Sequence, residues 1–485
     1  MRLGHELKRL ARHTAVYGLG GLVSRILAVL LLPLYTSYLP TAAYGQVETL
    51  TAASAVAVIV LRMGISGAFF RFYFDHKDAA RRLGVVRTSF WFTMASATTG
   101  LVLAVVFAPQ LSHLLQLGDH PDLVRAAAVG FWAQMNYEQM TSLFRAEERS
   151  VAFAIASVAN VLITVAATVV LVVAYHKGAL GLLVGNFVGT LVVYFALLAY
   201  RREQLGLHFD RELFRGMQTF GLPLVPSALA LWAINFIDRL FIGHYKGQGE
   251  VGVYSAAVKI ASVITFAMFA FRTAWPAFAY SIEDDRDAKR TYSFVLTYLL
   301  VVASWIALAL GALAPWLVAL LTAPAYQRAE NAVALLAFAG AVYAGYTVLA
   351  IGSGRARRTQ LNWVVTGAGA AVNVALCFWL VPRYGMVGAA VATAAAYAAL
   401  FAGMTWYAQH VYPVAYQWRR VATAVGVGVA LTIAARVPDL PIAASVLIVA
   451  VYPLALALLG FYLPAERRRI RARLPQRLQR GDVVG

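Results

Sequence analysis

Eight charged residues fall inside segments of the chain that are otherwise apolar. Five are basic, namely Arg25, Arg62, Arg239, Lys259 and Arg272, and three are acidic, namely Glu48, Glu138 and Asp238. A charge at the centre of a bilayer costs roughly 2.5–3.5 kcal/mol, so each cation needs an acidic partner, a route to the interface or a water-filled cavity. Because cations outnumber acids, the excess favours an anionic ligand such as phosphate or pyrophosphate, which arginine binds through charge-assisted, often bidentate hydrogen bonds.

Helical spacing predicts which of these side chains share a face. Glu48 and Arg62 are nearly four turns apart, so they should lie on one side of their helix. Lys259 and Arg272 would point to opposite sides of a continuous helix, and we expect that they do not both line one cavity. Arg239 and Lys259 are candidates for binding an anionic substrate, but they are also close enough to helix ends to reach the interface, so both roles stay open for them.

Uncharged polar residues accompany the charges at helical spacing. One stripe along a single predicted helix consists of Gln134, Glu138, Thr141, Ser142 and Arg145. Such a stripe either lines a cavity or packs on another polar helix, because it would be unstable against lipid. In another helix Asn235, Asp238 and Arg239 lie within one turn. We therefore expect Gln134, Thr141 and Asn235 to line a polar cavity, and Asp238, Glu48 and Glu138 to be candidate sites for ion or proton coupling.

The elements that carry these residues are membrane-spanning helices. The chain has 485 residues, of which 61% are hydrophobic and 13% charged, with mean hydropathy +0.69. This composition excludes a soluble protein and predicts an all-α integral membrane protein. Fourteen apolar segments are long enough to span a bilayer: 14–38, 46–70, 88–108, 123–144, 151–175, 179–200, 217–243, 252–278, 292–321, 331–352, 360–381, 386–408, 419–436 and 442–463.

The distribution of basic residues predicts the topology and excludes a nucleic-acid partner. With the N-terminus in the cytoplasm, 30 of the 41 Lys and Arg fall in cytoplasmic segments and six in external ones. This is the positive-inside bias of a multi-pass protein with both termini in the cytoplasm. The net charge of +19 therefore reflects topology. We expect the basic segment 465–485 to contact anionic membrane lipids.

An internal repeat predicts two lobes. A shift of 207 residues aligns Gly45 with Gly252, Gly178 with Gly385 and Gly181 with Gly388, each at an equivalent junction of loop and helix. A six-helix unit repeated in one orientation gives two lobes related by an axis along the membrane normal. The predicted units are an N-terminal lobe (1–205), a C-terminal lobe (206–410), two extra helices (411–464) and a basic cytoplasmic tail (465–485).

Several kinds of chemistry are not expected. Cys377 is the only cysteine, which leaves no intramolecular disulfide and no cysteine-based metal site. The external loops are too short for a catalytic domain, so we expect no enzyme activity. A nucleotide-binding loop of the G-x-x-x-x-G-K type does not occur, and neither ATP-driven transport nor a bound cofactor is expected.

Five motifs resemble one family of membrane proteins. They are LLPLYTSYLPTAAYGQ (31–46), GISGAFFRFY (64–73), VYSAAVKIAS (253–262), AWPAFAY (274–280) and VPRYGMVGAAVAT (381–393). In this order, over nearly the whole chain, they resemble the polysaccharide flippase branch of the multidrug/oligosaccharidyl-lipid/polysaccharide exporter superfamily. The resemblance implies a MATE-like fold, in which two six-helix lobes form a V and expose a central cavity to each side of the membrane in turn.

The resemblance also implies a function. Family members transfer a polyprenyl-pyrophosphate-linked oligosaccharide from the cytoplasmic to the outer leaflet of the bacterial cytoplasmic (inner) membrane, using basic residues in the central cavity. The matching positions here are Arg25, Arg62 and Arg272, with Arg71 and Lys259 as further candidates. The implied substrate is an undecaprenyl-pyrophosphate-linked glycan, and a polysaccharide polymerase or assembly protein is the implied partner of a monomeric transporter. Energy would come from an H⁺ or Na⁺ gradient, the membrane potential or substrate supply.

Alternative functions remain open at this point. Fourteen helices and a basic cavity also resemble the lipid II flippase branch, although PLYTSYL (33–39) and RFY (71–73) favour the polysaccharide branch. A drug or cation antiporter of the same fold would need an acidic, aromatic cavity. A membrane glycosyltransferase would need acidic catalytic residues on large external loops, and a scaffold would not explain so many cations within the membrane.

Overall fold

The computed structural model describes residues 26–27, 29–75, 78–436, 440–464 and 466. Within these ranges the chain forms α-helices with a few short 3₁₀ and π segments, and no described residue lies in a β-strand. Nine helices in this part of the chain are long and apolar enough to cross a membrane, judged by length and composition. The predicted all-α membrane protein is confirmed.

Eight helices lie in the described part of the N-terminal half. They are α1 (Leu32–Tyr38), α2 (Thr41–Arg62), α3 (Ile65–Asp75), α4 (Ala79–Val106), α5 (Ala108–Leu114), α6 (Pro121–Ala146), α7 (Ser150–Val169), which continues as a π turn over Val170–Ala174, and α8 (Gly178–Leu205). The second predicted span is divided between α2 and α3, because Met63 and Gly64 adopt left-handed backbone conformations with φ of 47° and 74°. Most of the first predicted span, including Arg25, lies outside the described residues.

The C-terminal half contains nine helices, and two more follow it among the residues that the structure describes. They are α9 (Arg211–Gly221), α10 (Val225–Lys246), α11 (Gln248–Ala261), α12 (Val263–Ala267), α13 (Phe269–Ser281), α14 (Asp285–Ala312), α15 (Ala314–Leu321), α16 (Glu330–Arg355), α17 (Asn362–Val411), α18 (Trp418–Ala434) and α19 (Ile442–Leu458). The 3₁₀ segments are Leu222–Leu224 and Pro324–Ala329. Gly385, with φ 54° and ψ −131°, interrupts α17, which therefore holds both the eleventh and the twelfth predicted spans.

The two halves meet where α2 packs against α10 and α11. A Cβ atom added to Gly45 would lie 1.8 Å from the carbonyl oxygen of Gln248, and one added to Gly252 would lie 2.0 Å from the carbonyl oxygen of Thr41. Both Thr41 and Gln248, and Gly45 and Gly252, are separated by the 207 residues of the sequence repeat. The contact is therefore reciprocal under that repeat, and the glycines allow the two backbones to touch.

Hydrogen bonds between the halves surround this glycine contact, at the end of the bundle that the topology predicts to be external. Thr49 donates to the Gln248 side chain at 2.7 Å, and Gln248 donates to the carbonyl oxygen of Leu115 at 2.9 Å. The Tyr326 hydroxyl donates to the carbonyl oxygen of Leu39 at 3.0 Å. The halves are thus joined by both packing and hydrogen bonds at this end.

Helices α18 and α19 pack on the C-terminal half through α14. Tyr452 of α19 is fully buried, and its hydroxyl donates to the carbonyl oxygen of Ala424 in α18 at 3.0 Å. On the predicted cytoplasmic side, Arg420 forms an ion pair of 2.9 Å with Glu466. In the described part of the chain, these contacts attach the last two helices to the C-terminal half, outside the reciprocal contact.

The close approach at Gly45 predicts the effect of adding one methyl group. We expect Gly45→Ala to destabilise the protein by roughly 1–3 kcal/mol, because the added Cβ has to displace the Gln248 backbone. The control is Gly426→Ala in α18, where a Cβ meets no atom within 4 Å and helix propensity favours alanine. The measurement is the apparent melting temperature in detergent, followed by tryptophan fluorescence. Equal melting temperatures for the two variants would contradict the contact.

Candidate anion-binding cavity

A cavity of about 500 Å³ lies against the C-terminal half and reaches the first span at Val29. Its polar and charged lining comes from α10 to α13, from Ser262 between α11 and α12, and from α16 and α17: Asn235, Asp238, Tyr254, Lys259, Ser262, Thr265, Arg272, Tyr343, Thr393 and Tyr397. This volume lies in the range of small-molecule sites. Two of the predicted substrate-binding residues, Lys259 and Arg272, share this one cavity.

The prediction that Lys259 and Arg272 do not both line one cavity is wrong. It assumed one continuous helix, but the chain between them is interrupted at Ser262 and Met268, where α11, α12 and α13 meet. Each interruption changes the direction in which the following side chains point. The breaks therefore turn Arg272 towards the wall that Lys259 already occupies.

Arg272 is held by aromatic residues. Its guanidinium carbon lies 4.9 Å from the centroid of the Tyr343 ring, and its Nη2 atom donates to the Tyr343 hydroxyl at 3.4 Å. Tyr397 packs on Tyr343 with ring centroids 5.0 Å apart. No carboxylate of the described residues forms an ion pair with Arg272. A cation–π contact leaves most of the guanidinium donors free, so this side chain can bind an anion.

Lys259 is paired across the boundary between the halves. Its Nζ atom lies 2.9 Å from Oε1 of Glu48, which belongs to α2 of the N-terminal half. The same Nζ lies 4.8 Å from the centroid of the Tyr44 ring. The Glu48 side chain is only 13% exposed, and its second oxygen lies 3.8 Å from Nε of Arg239. One carboxylate of the N-terminal half thus contacts two cations of the C-terminal half.

Arg239 and Asp238 form a buried pair behind the cavity wall. Their side chains are 6% and 3% exposed, and Nη1 of Arg239 lies 3.1 Å from Oδ1 of Asp238. The other oxygen of Asp238 accepts a 2.5 Å hydrogen bond from the hydroxyl of Tyr254 and one of 3.5 Å from Thr393. Asp238 reaches the cavity, whereas Arg239 is not among its lining residues. Arg239 is buried and does not line the cavity in this structure.

Asn235, a further predicted residue of the C-terminal half, lies beside the tyrosines of the cavity. Asn235 lines the cavity, and its Oδ1 atom accepts a hydrogen bond of 2.9 Å from the hydroxyl of Tyr397. The Asn235 amide donates to the carbonyl oxygen of Leu231 at 2.7 Å, one turn earlier in α10. The Asn235 side chain therefore fixes the position of Tyr397.

The polar residues of the N-terminal half form a separate network. Arg62 pairs with Glu138 at 2.6 Å, and Gln134 donates to the other oxygen of Glu138 at 2.5 Å. Thr190 in α8 donates to Gln134 at 3.5 Å and to Asn160 in α7 at 3.4 Å. The predicted stripe thus packs on other polar helices. Glu138 is 41% exposed, so one end of the network is open.

Three predicted residues lie away from the cavity or outside the described part of the chain. Thr141 is buried, and its hydroxyl donates to the backbone carbonyl of Glu138 at 3.2 Å. Arg71 is largely exposed near the end of α3, where it pairs with Asp75 at 3.7 Å and lies over the Phe220 ring at 4.5 Å. Arg25 falls outside the described residues.

Sequence reasoning missed the tyrosine and threonine lining of the cavity. Tyr254, Tyr343, Thr393 and Tyr397 all lie in strongly apolar runs, where aromatic residues are ordinary core residues. The four-residue spacing of Thr393 and Tyr397, which places both on one helix face, was the available signal. No group of three metal-ligating side chains occurs among the described residues.

Comparison with known proteins places the chain in a family and gives its fold relatives. The family model described as "Polysaccharide biosynthesis protein" matches residues 10–282, and the MatE model matches residues 223–379. The chain is 23% identical over 273 residues to a protein of the Lsg locus of Haemophilus influenzae, covering 54% of this chain and 64% of that protein. It is also 23% identical to an uncharacterized membrane protein of Methanocaldococcus jannaschii, over 41% of this chain and 40% of that protein. The chain thus matches less than two thirds of the length of these relatives.

Solved structures share the fold over most of the chain. The lipid II flippase MurJ in an inward closed conformation superposes with a TM-score of 0.74 and 11% identity, over 94% of this chain and all of that one. An inward-facing multidrug resistance MATE family transporter of the MOP superfamily superposes with a TM-score of 0.61 and 15% identity, over 80% of this chain and 98% of that one. The predicted MATE-like fold is confirmed. The family model covers more than half of the residues, and the chain belongs to the polysaccharide biosynthesis protein family.

Proposed function

We propose that this protein flips a polyprenyl-pyrophosphate-linked oligosaccharide between the leaflets of the bacterial cytoplasmic membrane, with the pyrophosphate bound in the cavity that Arg272 and Lys259 line. One observation carries the proposal. Arg272 lies in a cavity within the membrane-spanning part, where its guanidinium contacts Tyr343 and forms no ion pair with a carboxylate of the described residues. A cation kept in such a place without an acidic partner is costly, and an anionic ligand would supply the missing charge.

The pairing of charges narrows the choice of anion site. Arg62 pairs with Glu138, Arg239 with Asp238, and Lys259 with Glu48. These three pairs leave Arg272 as the predicted cation without an acidic partner in the described part of the membrane interior. Arg25 is a further candidate from the sequence. We infer that Arg272 makes the first contact with the pyrophosphate.

The substrate's sugars would contact a different surface. The network of Arg62, Glu138 and Gln134 offers both donors and acceptors, as sugar hydroxyls require, and Glu138 is 41% exposed. A cavity of about 500 Å³ holds only a drug-sized part of a ligand, so a longer glycan must extend beyond it. The lipid chain would stay in the bilayer while the two halves rock about their contact.

The family and the fold favour this function over its alternatives. The family model concerns polysaccharide biosynthesis, and the fold relatives include a lipid II flippase and multidrug transporters. A lipid II flippase would use the same pyrophosphate chemistry and is the second candidate function. A drug or cation antiporter would need a net acidic cavity, whereas the described lining carries Lys259 and Arg272 against Asp238 alone.

Coupling and location follow as parts of the proposal. Three carboxylates pair with a basic side chain in this structure, namely Glu48, Glu138 and Asp238. Each could exchange that side chain for H⁺ or Na⁺ during the transport cycle. A gradient of either ion or the membrane potential would then drive transfer. We propose cytoplasmic termini, contacts of the basic tail 465–485 with anionic lipid, and a polysaccharide polymerase or assembly protein as the partner of a monomer.

Substitution of Arg272 tests the anion site. We expect Arg272→Ala to weaken the binding of farnesyl pyrophosphate to the purified protein by about 10- to 100-fold, because a hydrogen bond to a charged group contributes roughly 1.5–3 kcal/mol. Arg272→Lys should have an intermediate effect, since it keeps the charge but loses the planar fork. Isothermal titration in nanodiscs gives the affinities. The control is Arg328→Ala, because Arg328 is 68% exposed near the predicted external surface. Unchanged affinity in Arg272→Ala would remove Arg272 from the site.

The pair of Arg62 and Glu138 separates a structural role of Arg62 from a ligand-binding role. We expect Arg62→Ala to lower the apparent melting temperature, because it leaves Glu138 without its cation. The loss should be smaller than the roughly 3–5 kcal/mol of a fully buried pair, since Glu138 is 41% exposed. The double variant Arg62→Ala/Glu138→Ala should regain most of the stability yet bind a polyprenyl-pyrophosphate-linked oligosaccharide more weakly than wild type, because this network is proposed to contact the sugars. Full recovery of both properties would assign Arg62 a structural role only.

A further inference from the structure

Two partners compete for Lys259, namely the proposed ligand and Glu48. Lys259 lines the cavity on the side facing the proposed ligand, and it also holds Glu48 of the opposite half at 2.9 Å. A pyrophosphate that binds Arg272 carries more than one negative charge and needs further cations nearby. Among the described residues, Lys259 is the other cation in the lining. The ligand can bind Lys259 only by competing with the Glu48 carboxylate.

We infer that Glu48 is an internal competitor of the ligand, so that anion binding at Arg272 and Lys259 weakens the ionic connection between the two halves. This inference rests on the proposed function and adds a coupling step to it. Glu48 is the acidic residue through which α2 of the N-terminal half contacts cations of α10 and α11 in the C-terminal half. Occupation of Lys259 by the ligand leaves this connection with one longer contact, to Arg239 at 3.8 Å.

Arg239 lies where it can pair with Glu48 after the ligand has displaced Glu48 from Lys259. Its Nε atom is buried and has no hydrogen-bond partner among the described atoms, although it lies only 3.8 Å from Oε2 of Glu48. A small movement of Glu48 away from Lys259 can complete that hydrogen bond. The Glu48 charge therefore never loses its last cation, which would be strongly unfavourable in a buried site.

The ion pair of Glu48 and Lys259 lies next to the contact between the two halves at the predicted external end. Glu48 is one turn from Gly45, which touches the Gln248 backbone, and Thr49 donates to the Gln248 side chain at 2.7 Å. A shift of Glu48 along α2 therefore changes the packing at the predicted external end. Ligand binding in the cavity would favour the opening of that end.

Two measurements test the inference. The first is the affinity of the full-length protein for farnesyl pyrophosphate, where we expect Glu48→Gln to bind about tenfold more tightly than wild type because Lys259 becomes free. The second is disulfide formation between Thr41→Cys and Gly249→Cys in a Cys377→Ala background. A Cβ on Gly249 would lie 3.4 Å from Oγ1 of Thr41, within reach of a disulfide when the halves are closed.

The inference predicts the pattern across variants. Farnesyl pyrophosphate should slow the crosslink severalfold in an otherwise wild-type protein, and Glu48→Gln should slow it without ligand. In Lys259→Met the ligand should have no effect on crosslinking. The control for charge loss is Glu250→Gln, because Glu250 pairs with Arg328 within the C-terminal half at 3.3 Å and should alter neither measurement.

The outcomes separate the inference from the proposed function. Tighter binding and slower crosslinking in Glu48→Gln would support the competition. An equal effect of inorganic pyrophosphate would assign the competition to the pyrophosphate alone, and an effect of farnesyl pyrophosphate only would assign it to the lipid-linked form. Binding that depends on Arg272 but is unchanged in Glu48→Gln would overturn the inference and leave the proposed function standing. Absence of any binding by the folded wild type would contradict the proposed function itself.

Discussion

The structure depends on one electrostatic constraint, that charges within the membrane-spanning part need partners. Three acidic residues form ion pairs with three cations there: Glu138 with Arg62, Asp238 with Arg239, and Glu48 with Lys259. Because an isolated charge costs several kcal/mol in this environment, the two pairs that join different helices, Arg62 with Glu138 and Lys259 with Glu48, fix the relative positions of those helices. The described cation that the pairs do not include, Arg272, marks the place where an anion can be bound.

The two halves use these charges differently. In the N-terminal half the ion pair continues into amides and hydroxyls on α6, α7 and α8, which suits the recognition of neutral polar groups. In the C-terminal half the cations lie among tyrosines around a cavity of about 500 Å³. Glu48 of the N-terminal half contacts the C-terminal cations Lys259 and Arg239, beside the reciprocal contact of Gly45 and Gly252. The two glycines that match under the shift of 207 residues form the contact between the halves.

Much of this architecture could be predicted from the sequence. Hydropathy predicts the helices, since spans two to fourteen correspond to described helices, and the shift of 207 residues pairs the two glycines that touch between the halves. The domain boundaries remain predictions. Composition indicates which residues are charged within the membrane, but it does not show which charge neutralises which.

What the sequence could not provide depends on contacts between distant segments. Glu48 and Arg62 were expected on one face of a helix, yet they pair with different halves, because α2 contacts different helices along its length. The shared cavity of Lys259 and Arg272 depends on two helix breaks that no proline or glycine marks. Tyr343 contacts Arg272 because α16 packs against α13, and these two helices are distant in the sequence.

The most direct test of the central claim is leaflet transfer by the purified protein in liposomes. A fluorescent polyprenyl-pyrophosphate oligosaccharide is placed in both leaflets, and the fraction reached by an external quencher is followed with and without an ion gradient. The account predicts that wild-type protein makes the inner-leaflet label accessible and that Arg272→Ala does so far more slowly. Equal transfer by the folded wild type and by Arg272→Ala would contradict it.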